Sequence, residues 1–173
     1  KNSCSLVNQR EVGHDSHSFP AALRNAVRQD PDIIAIADIA DRETLELALS
    51  LCETGHLVLA TIAAADVVQA VQFLLGLFPT EPQESFLARL SGVLEAIVAQ
   101  QLVARADGEG QLPALEICIA NATVRGILRD SKVNQLYAAI QTGVRDGMST
   151  MNNSLVHLVS VERVTRESAM EST

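Results

Sequence analysis

Asp30-Pro31-Asp32-Ile33-Ile34-Ala35-Ile36-Ala37-Asp38 opens the run that decides the fold. Asp41-Arg42-Glu43-Thr44 follows, and then Thr54-Gly55-His56-Leu57-Val58-Leu59-Ala60-Thr61. Ile33 to Ala37 is a continuous apolar run bounded by turn signals, which suits a parallel strand covered on both faces. Asp41 can cap a helix that carries Glu43 in its first turn, and Gly55 suits the position just past that helix's end. Leu57 to Ile62 reads as a second buried strand. Strand, helix, strand with short links predicts a parallel sheet in an α/β domain. An acid, Asp38, closes the first strand.

Working outward, a helix is expected from about Phe19 to Gln29, with Pro20 in its first turn, where a missing N–H costs nothing. Asp66 caps another, running to about Leu77 before Pro79. Pro82 then opens a long helix. Its stripe is Phe86, Leu87, Leu90, Val93, Leu94, Ile97 and Val98, at three- and four-residue steps. Gln101 to Ala106 and Leu115 to Ala120 flank Asp107-Gly108-Glu109-Gly110 and predict a β-hairpin. Leu115, Ile117 and Ile119 alternate with Glu116 and Cys118, so the apolar trio is expected to form the buried face. From Ala122 onward the pattern is helical, with Met148, Met151, Leu155, Leu158 and Val159 as the last stripe. We expect a boundary near residue 120. Residues 1–120 would be part of an α/β core, and residues 121–173 a small helical domain.

The totals narrow the classes. Hydrophobic residues make up 47% of the 173, enough for a sizeable core, and aromatics only 3%, so that core is aliphatic. A formal charge of -8 with two lysines, Lys1 and Lys132, argues against a sequence-independent grip on nucleic acid. Cys4, Cys52 and Cys118 form no Cys-x-x-Cys pair, so neither a zinc site nor a disulfide frame is suggested. Reduced thiols in a cytosolic protein are the simplest reading. No apolar run is long enough to insert in a membrane. The chain opens at Lys1 with no capped element, and we expect it to be a piece of a longer protein.

These residues resemble the motor ATPases of type IV pilus retraction, the PilT-type twitching-motility family within the hexameric secretion ATPases. Val7-Asn8-Gln9-Arg10-Glu11-Val12-Gly13, with Asp15, His17-Ser18-Phe19 and Ala22-Leu23-Arg24, looks like the segment after that family's aspartate box. Asp30 to Ile34 resembles its Walker B strand, and Thr54 to Val58 leads into its histidine box. Val124-Arg125 and Arg129 resemble the helical motif Ala-Ile-Arg-Asn-Leu-Ile-Arg of the retraction branch. Ile140-Gln141-Thr142-Gly143 and Gly147-Met148 also fit that branch.

The resemblance implies the C-terminal part of a RecA-like phosphate-loop NTPase domain followed by a small all-helical domain. It implies ATP and Mg²⁺ as cofactors and a homohexamer at the cytoplasmic face of the inner membrane. The partners it implies are the inner-membrane platform protein of the pilus machine and a paralogous pilus ATPase. Asp38 aligns with the family's Walker B glutamate, as the group that places water or holds the Mg²⁺ shell. It could equally be a strand-end acid capping nearby backbone. Arg10 and Arg24 match arginines that can reach a neighbour's nucleotide, or else form intrachain salt bridges. His56 matches the first histidine of the histidine box, a coupling residue near nucleotide and subunit interface, or is simply a satisfied histidine at a strand start. Arg125 and Arg129, four apart on one helix, share a face that the resemblance assigns to retraction.

The departures are as informative. The family's Walker B strand ends Gly-Glu, then Met-Arg-Asp, whereas this chain has Ala37-Asp38, then Ile39-Ala40-Asp41. The histidine box Gly-Thr-Leu-His-Thr is Ala60-Thr61-Ile62-Ala63-Ala64, so the second histidine is gone. Aspartate is one methylene shorter than glutamate, about 1.5 Å, and a misplacement near 1 Å can cost roughly a hundredfold in rate. No Gly-x-x-x-x-Gly-Lys-Ser/Thr loop occurs, so this chain alone is expected not to hydrolyse ATP. A non-catalytic pseudo-ATPase that partners an active paralogue is the alternative, as is a stable assembly module.

Overall fold

The computed structural model describes residues 5–78 and 82–171. Cys4 and Pro79 lie outside the described residues. The chain divides into two compact units, residues 1–62 and 63–173.

In the first unit, helix α1 (Phe19–Val27) is capped by Ser18, whose hydroxyl accepts from the Ala21 N–H, and Pro20 sits in its first turn. Strand β1 (Ile33–Ile36) leads to helix α2 (Arg42–Glu53) and strand β2 (Leu57–Ala60). The two strands pair in parallel, with Ile33 opposite Leu57 and Ile36 opposite Ala60. Asp41 caps α2 as expected, accepting from the Thr44 N–H and from its hydroxyl, both at 2.8 Å. Gly55 turns the chain out of α2 at φ +95°, a conformation that costs glycine nothing.

The expectation that both faces of this pair are covered is not met. Ile34 and Ile36 are buried, but Ile33 is 59%, Leu57 47% and Leu59 56% exposed. Helix α2 packs against β2 and α1 against α2, and Ile33, Leu57 and Leu59 lie on the face left exposed.

The second unit begins with helix α3 (Val67–Gly76), capped by Asp66, and helix α4 (Gln83–Val93). An antiparallel hairpin follows, β3 (Ala96–Ala104) and β4 (Gln111–Ile119), in continuous register from Ala96–Ile119 to Ala104–Gln111. Helix α5 (Ala122–Arg129), a 3₁₀ turn over Val133–Gln135 and helix α6 (Leu136–Thr142) come next. A second 3₁₀ turn spans Val144–Asp146, before helices α7 (Met151–Ser160) and α8 (Arg166–Glu171).

Two sequence expectations are corrected here. The long helix stops at Val93. Leu94 is extended (φ −63°, ψ 131°), and Ile97 and Val98 belong to β3. The hairpin also buries the opposite face from the one expected. Ala114, Glu116 and Cys118 point inward, while Leu115, Ile117 and Ile119 are only half-buried.

The inversion has a physical cause. Glu116 is 2% exposed, and its carboxylate accepts the Val67 N–H at 2.9 Å and the Met151 N–H at 3.3 Å. These are the first residues of α3 and α7. Helix N-termini carry unpaired N–H groups and a partial positive charge, so a carboxylate between two of them is both hydrogen-bonded and electrically balanced. A charged side chain can therefore face the core of this hairpin. Beside it, the Cys118 thiol is pushed up to about 11, chiefly by burial and then by the Glu116 charge.

On one side of β4 and β3, Val103, Ala114, Met151, Leu155, Val164 and Ala169 form a packed cluster. Elsewhere in the unit, Phe78 and Phe86 stack with ring centroids 4.7 Å apart, and Leu87, Val124, Leu128, Leu136 and Ile140 are fully buried. Each large aliphatic side chain buried this way contributes roughly 1.5–3 kcal/mol.

Replacing Glu116 by Gln keeps the shape but sets an amide donor against one of two backbone donors. The expected cost is about 2 kcal/mol, a fall in melting midpoint of roughly 4–8 °C. A midpoint equal to wild type would remove Glu116 from this role. Gly143 is a second test. A Cβ there would lie 2.5 Å from Met148 Sδ and 3.0 Å from the Ala139 carbonyl, with Met148 itself buried. Gly143→Ala is expected to destabilise by about 1–3 kcal/mol, and less when Met148 is also cut to Ala, as denaturant titration of the single and double variants would reveal.

Candidate functional site

The parallel pair sets the frame of the site. In open α/β sheets, ligands gather beyond the carboxyl ends of the strands. Asp38 lies there, two residues past the end of β1, and is exposed. Among the described residues its carboxylate has no side-chain hydrogen bond. The backbone around it is held firmly. Thr61, just past β2, donates its N–H to the Ile36 carbonyl at 3.2 Å and accepts the Ile39 N–H at 3.1 Å. Its hydroxyl donates to the Ala37 carbonyl. Ala37 and Ala40, both exposed, present only methyl groups.

His56 stands at the other end of β2, next to the start of the strand. In the parallel register this separates it from Asp38 by more than the strand length, which is on the order of 13 Å. Its Nδ1 lies 3.1 Å from the Leu51 carbonyl and 3.1 Å from the Thr54 hydroxyl. A carbonyl only accepts, so Nδ1 is the protonated nitrogen. The imidazole thereby satisfies a carbonyl at the end of α2. The structure does not bring His56 and Asp38 together.

Arg24 on α1 pairs with Glu43 in the first turn of α2, and both side chains are more than half exposed. Such a pair contributes at most about 1 kcal/mol, so its main effect is to tie α1 to α2. Arg10 is exposed and near Asp15. Asp15 is held below the usual carboxylate range, first by the Glu11 N–H, then by His14, with a smaller contribution from Arg10. Asp41 is likewise lowered, by the Thr44 N–H and hydroxyl, as a helix cap should be.

In the second unit, the three residues of the helical motif separate. Val124 is fully buried. Arg125 donates to the carbonyls of Ser91 at 2.8 Å and Gly92 at 3.2 Å, and to Glu95 at 3.2 Å. It closes the C-terminal end of α4, where carbonyls lack helical partners and positive charge is favoured. Arg129 is exposed. The sequence reading missed this cap because it ran α4 through residues 94–98.

Two grooves of the second unit, of about 600 and 520 Å³, are lined by none of these candidates. Among the described residues no group of three or more His, Cys, Asp or Glu could hold a metal ion. No described helix is long and apolar enough to cross a membrane.

The clamp yields an ordered prediction. Arg125→Ala is expected to cost about 1–3 kcal/mol, Glu95→Ala under about 1 because its side chain is 77% exposed, and Arg129→Ala close to nothing. Equal losses for Arg125 and Arg129 in thermal melts would contradict the cap.

Comparison with known proteins bears on family and fold. The model of the Type II/IV secretion system protein family matches residues 5–127. The type IV pilus retraction ATPase PilT of Pseudomonas aeruginosa is 40% identical over 166 residues, 96% of this chain and 48% of that protein. A twitching motility protein of Neisseria gonorrhoeae is 39% identical over 165 residues, 95% of this chain and 44% of that protein. The chain thus spans about half the length of these relatives. A crystal structure of the pilus retraction motor PilT with bound ADP superposes with a TM-score of 0.87 at 38% identity, over 97% of this chain and 47% of that one. The ATPase DotB of Legionella pneumophila shares the fold alone, with a TM-score of 0.84 at 23% identity, over 96% of this chain and 45% of that one. The α/β expectation is thereby met: the parallel pair, its helices and the hairpin are a portion of the PilT and DotB ATPase fold. The chain belongs to the Type II/IV secretion system protein family.

Proposed function

We propose that this chain is part of a hexameric motor that couples ATP hydrolysis to type IV pilus retraction at the cytoplasmic face of the inner membrane. The observation that carries the reading is the placement of Asp38. An exposed carboxylate, with no side-chain partner among the described residues, sits just past the carboxyl end of a parallel strand. The 40% identity to PilT across 96% of the chain supports the same reading. In this role Asp38 orients the attacking water and accepts its proton. Mg²⁺ commonly takes only one or two protein carboxylates, the rest of its shell being phosphate and water. One free carboxylate therefore fits it, and when bound it would neutralise charge on the phosphates. The fixed backbone at Ile36, Ala37 and Ile39 gives the carboxylate a defined origin. The platform protein of the inner membrane and a paralogous pilus ATPase are the partners this reading names.

A second reading rests on a specific observation. Ala37 and Ala40 follow β1 in the sequence, Ala63 and Ala64 follow β2, and none of the four can accept a proton or hold an anion. On this reading the protein assembles with an active ATPase and regulates it.

Turnover of ATP with Mg²⁺ by the full-length protein separates the two. The motor reading expects turnover in wild type and a loss of at least about 100-fold in Asp38→Ala, the scale of a lost general base. A silent wild type that Asp38→Glu does not revive would transfer the assignment to the non-catalytic reading.

A further inference from the structure

Among the described residues, every hydrogen bond that fixes the backbone on either side of Asp38 ends on one residue, Thr61. The Ala37 carbonyl belongs to the peptide group before the Asp38 Cα, and the Ile39 N–H to the one after it. The Thr61 hydroxyl holds the first, and the Thr61 carbonyl holds the second at 3.1 Å. A third bond, from the Thr61 N–H to the Ile36 carbonyl at 3.2 Å, continues the β1–β2 ladder into this turn. With both flanking peptide planes held, the direction of the Asp38 Cα–Cβ bond is set relative to β2.

Only one of the three bonds depends on the side chain. The N–H and carbonyl of residue 61 are present whatever stands there, so the hydroxyl is the selectable element. Thr61 and Ala37 are both exposed, so the Ala37 carbonyl could be satisfied by water without the hydroxyl. Stability alone therefore gives little reason for a hydroxyl here, whereas alignment of the next side chain does. The shorter reach of Asp against Glu sharpens the need, because a short side chain has fewer rotatable bonds with which to correct a misplaced backbone.

We propose that Thr61 is a positioning residue for Asp38, acting through its hydroxyl on the Ala37 carbonyl. This rests on the reading of Asp38 as the catalytic acid, and the test keeps the two separable. In the full-length protein, Thr61→Val removes the hydroxyl and keeps the β-branched shape, and Thr61→Ser removes the methyl and keeps the hydroxyl. The expected result is a kcat lowered about tenfold or more in Thr61→Val, as for a misplacement of a fraction of an ångström to 1 Å. KM for ATP stays near wild type, and Thr61→Ser is restored to within a factor of a few. Hydrogen exchange over residues 37–40 should quicken in Thr61→Val and stay at the wild-type rate in Thr61→Ser. That measurement reads the clamp whether or not the protein turns over ATP.

Unchanged exchange in Thr61→Val overturns the proposal. So does a kcat loss that Thr61→Ser fails to restore, or a loss that falls on KM. If Asp38→Ala keeps wild-type turnover, the catalytic reading of Asp38 fails on its own, and the positioning role falls with it even where the exchange result confirms the clamp.

Discussion

The second unit depends on one buried carboxylate. Glu116 sits in the middle of β4 and takes the first N–H of α3 and the first N–H of α7. Those helices begin 84 residues apart in the chain, at Val67 and Met151. Burying a lone carboxylate is prohibitive, since the cost of taking it out of water is several kcal/mol even after relaxation. Two charge-assisted hydrogen bonds and two helix ends of positive sign offset that cost. Each helix also has its own side-chain cap, Asp66 on Gln69 at 2.7 Å and Thr150 on Asn153 at 3.2 Å. The carboxylate therefore completes both N-termini rather than substituting for missing caps. β4 is held to the start of α7 again by Leu115 to Ser154 at 3.0 Å and by the paired bonds between Ile117 and Ser149. Sheet, α3 and α7 are thus fixed relative to one another at one point, and the aliphatic cluster around Met151 and Leu155 packs within that frame.

What could be read from the sequence follows from how local each signal is. The caps Asp41 and Asp66 and the turn at Gly55 involve contacts within three or four residues, and all appear where the sequence places them. The parallel pair was legible from two apolar runs. The end of α4 was not. The helical stripe through Leu94 continues by chance into Ile97 and Val98, whose period-two pattern belongs to β3. Three- and four-residue spacing cannot distinguish these without a marked stop, and none exists between Val93 and Ala96. The hairpin face was read backwards for a different reason. A glutamate in a strand normally points to water, and the two donors that let it point inward come from positions 67 and 151, invisible to any local rule.

The site shows the same division. Asp38 stood out as a candidate because ligands in parallel sheets gather beyond the strand ends. The bonds that hold it come from across the pair, so the register had to be known before Thr61 could be noticed. His56 and Arg24 each have a partner within the chain. The first satisfies Leu51 at the end of α2, and the second pairs with Glu43. Arg125 is engaged still more fully, with three contacts at the end of α4 and the α4–β3 link.

The exposed face of the first unit's sheet connects fold and chemistry. Ile33, Leu57 and Leu59 are apolar side chains that a parallel sheet ordinarily covers. The chain spans about half the length of its relatives, and its sequence contains no Gly-x-x-x-x-Gly-Lys-Ser/Thr loop. The alanines are a separate matter, because positions 37, 40, 63 and 64 are present. At position 37 alanine leaves the backbone bond intact, since Ala37 offers its carbonyl to Thr61 just as any residue would. The backbone arrangement that holds a strand-end acid is thus independent of the side chains that would act beside it. Chemistry can be lost from such a site without cost to the fold, and on the proposed motor reading its retention turns on where the Asp38 carboxylate is held.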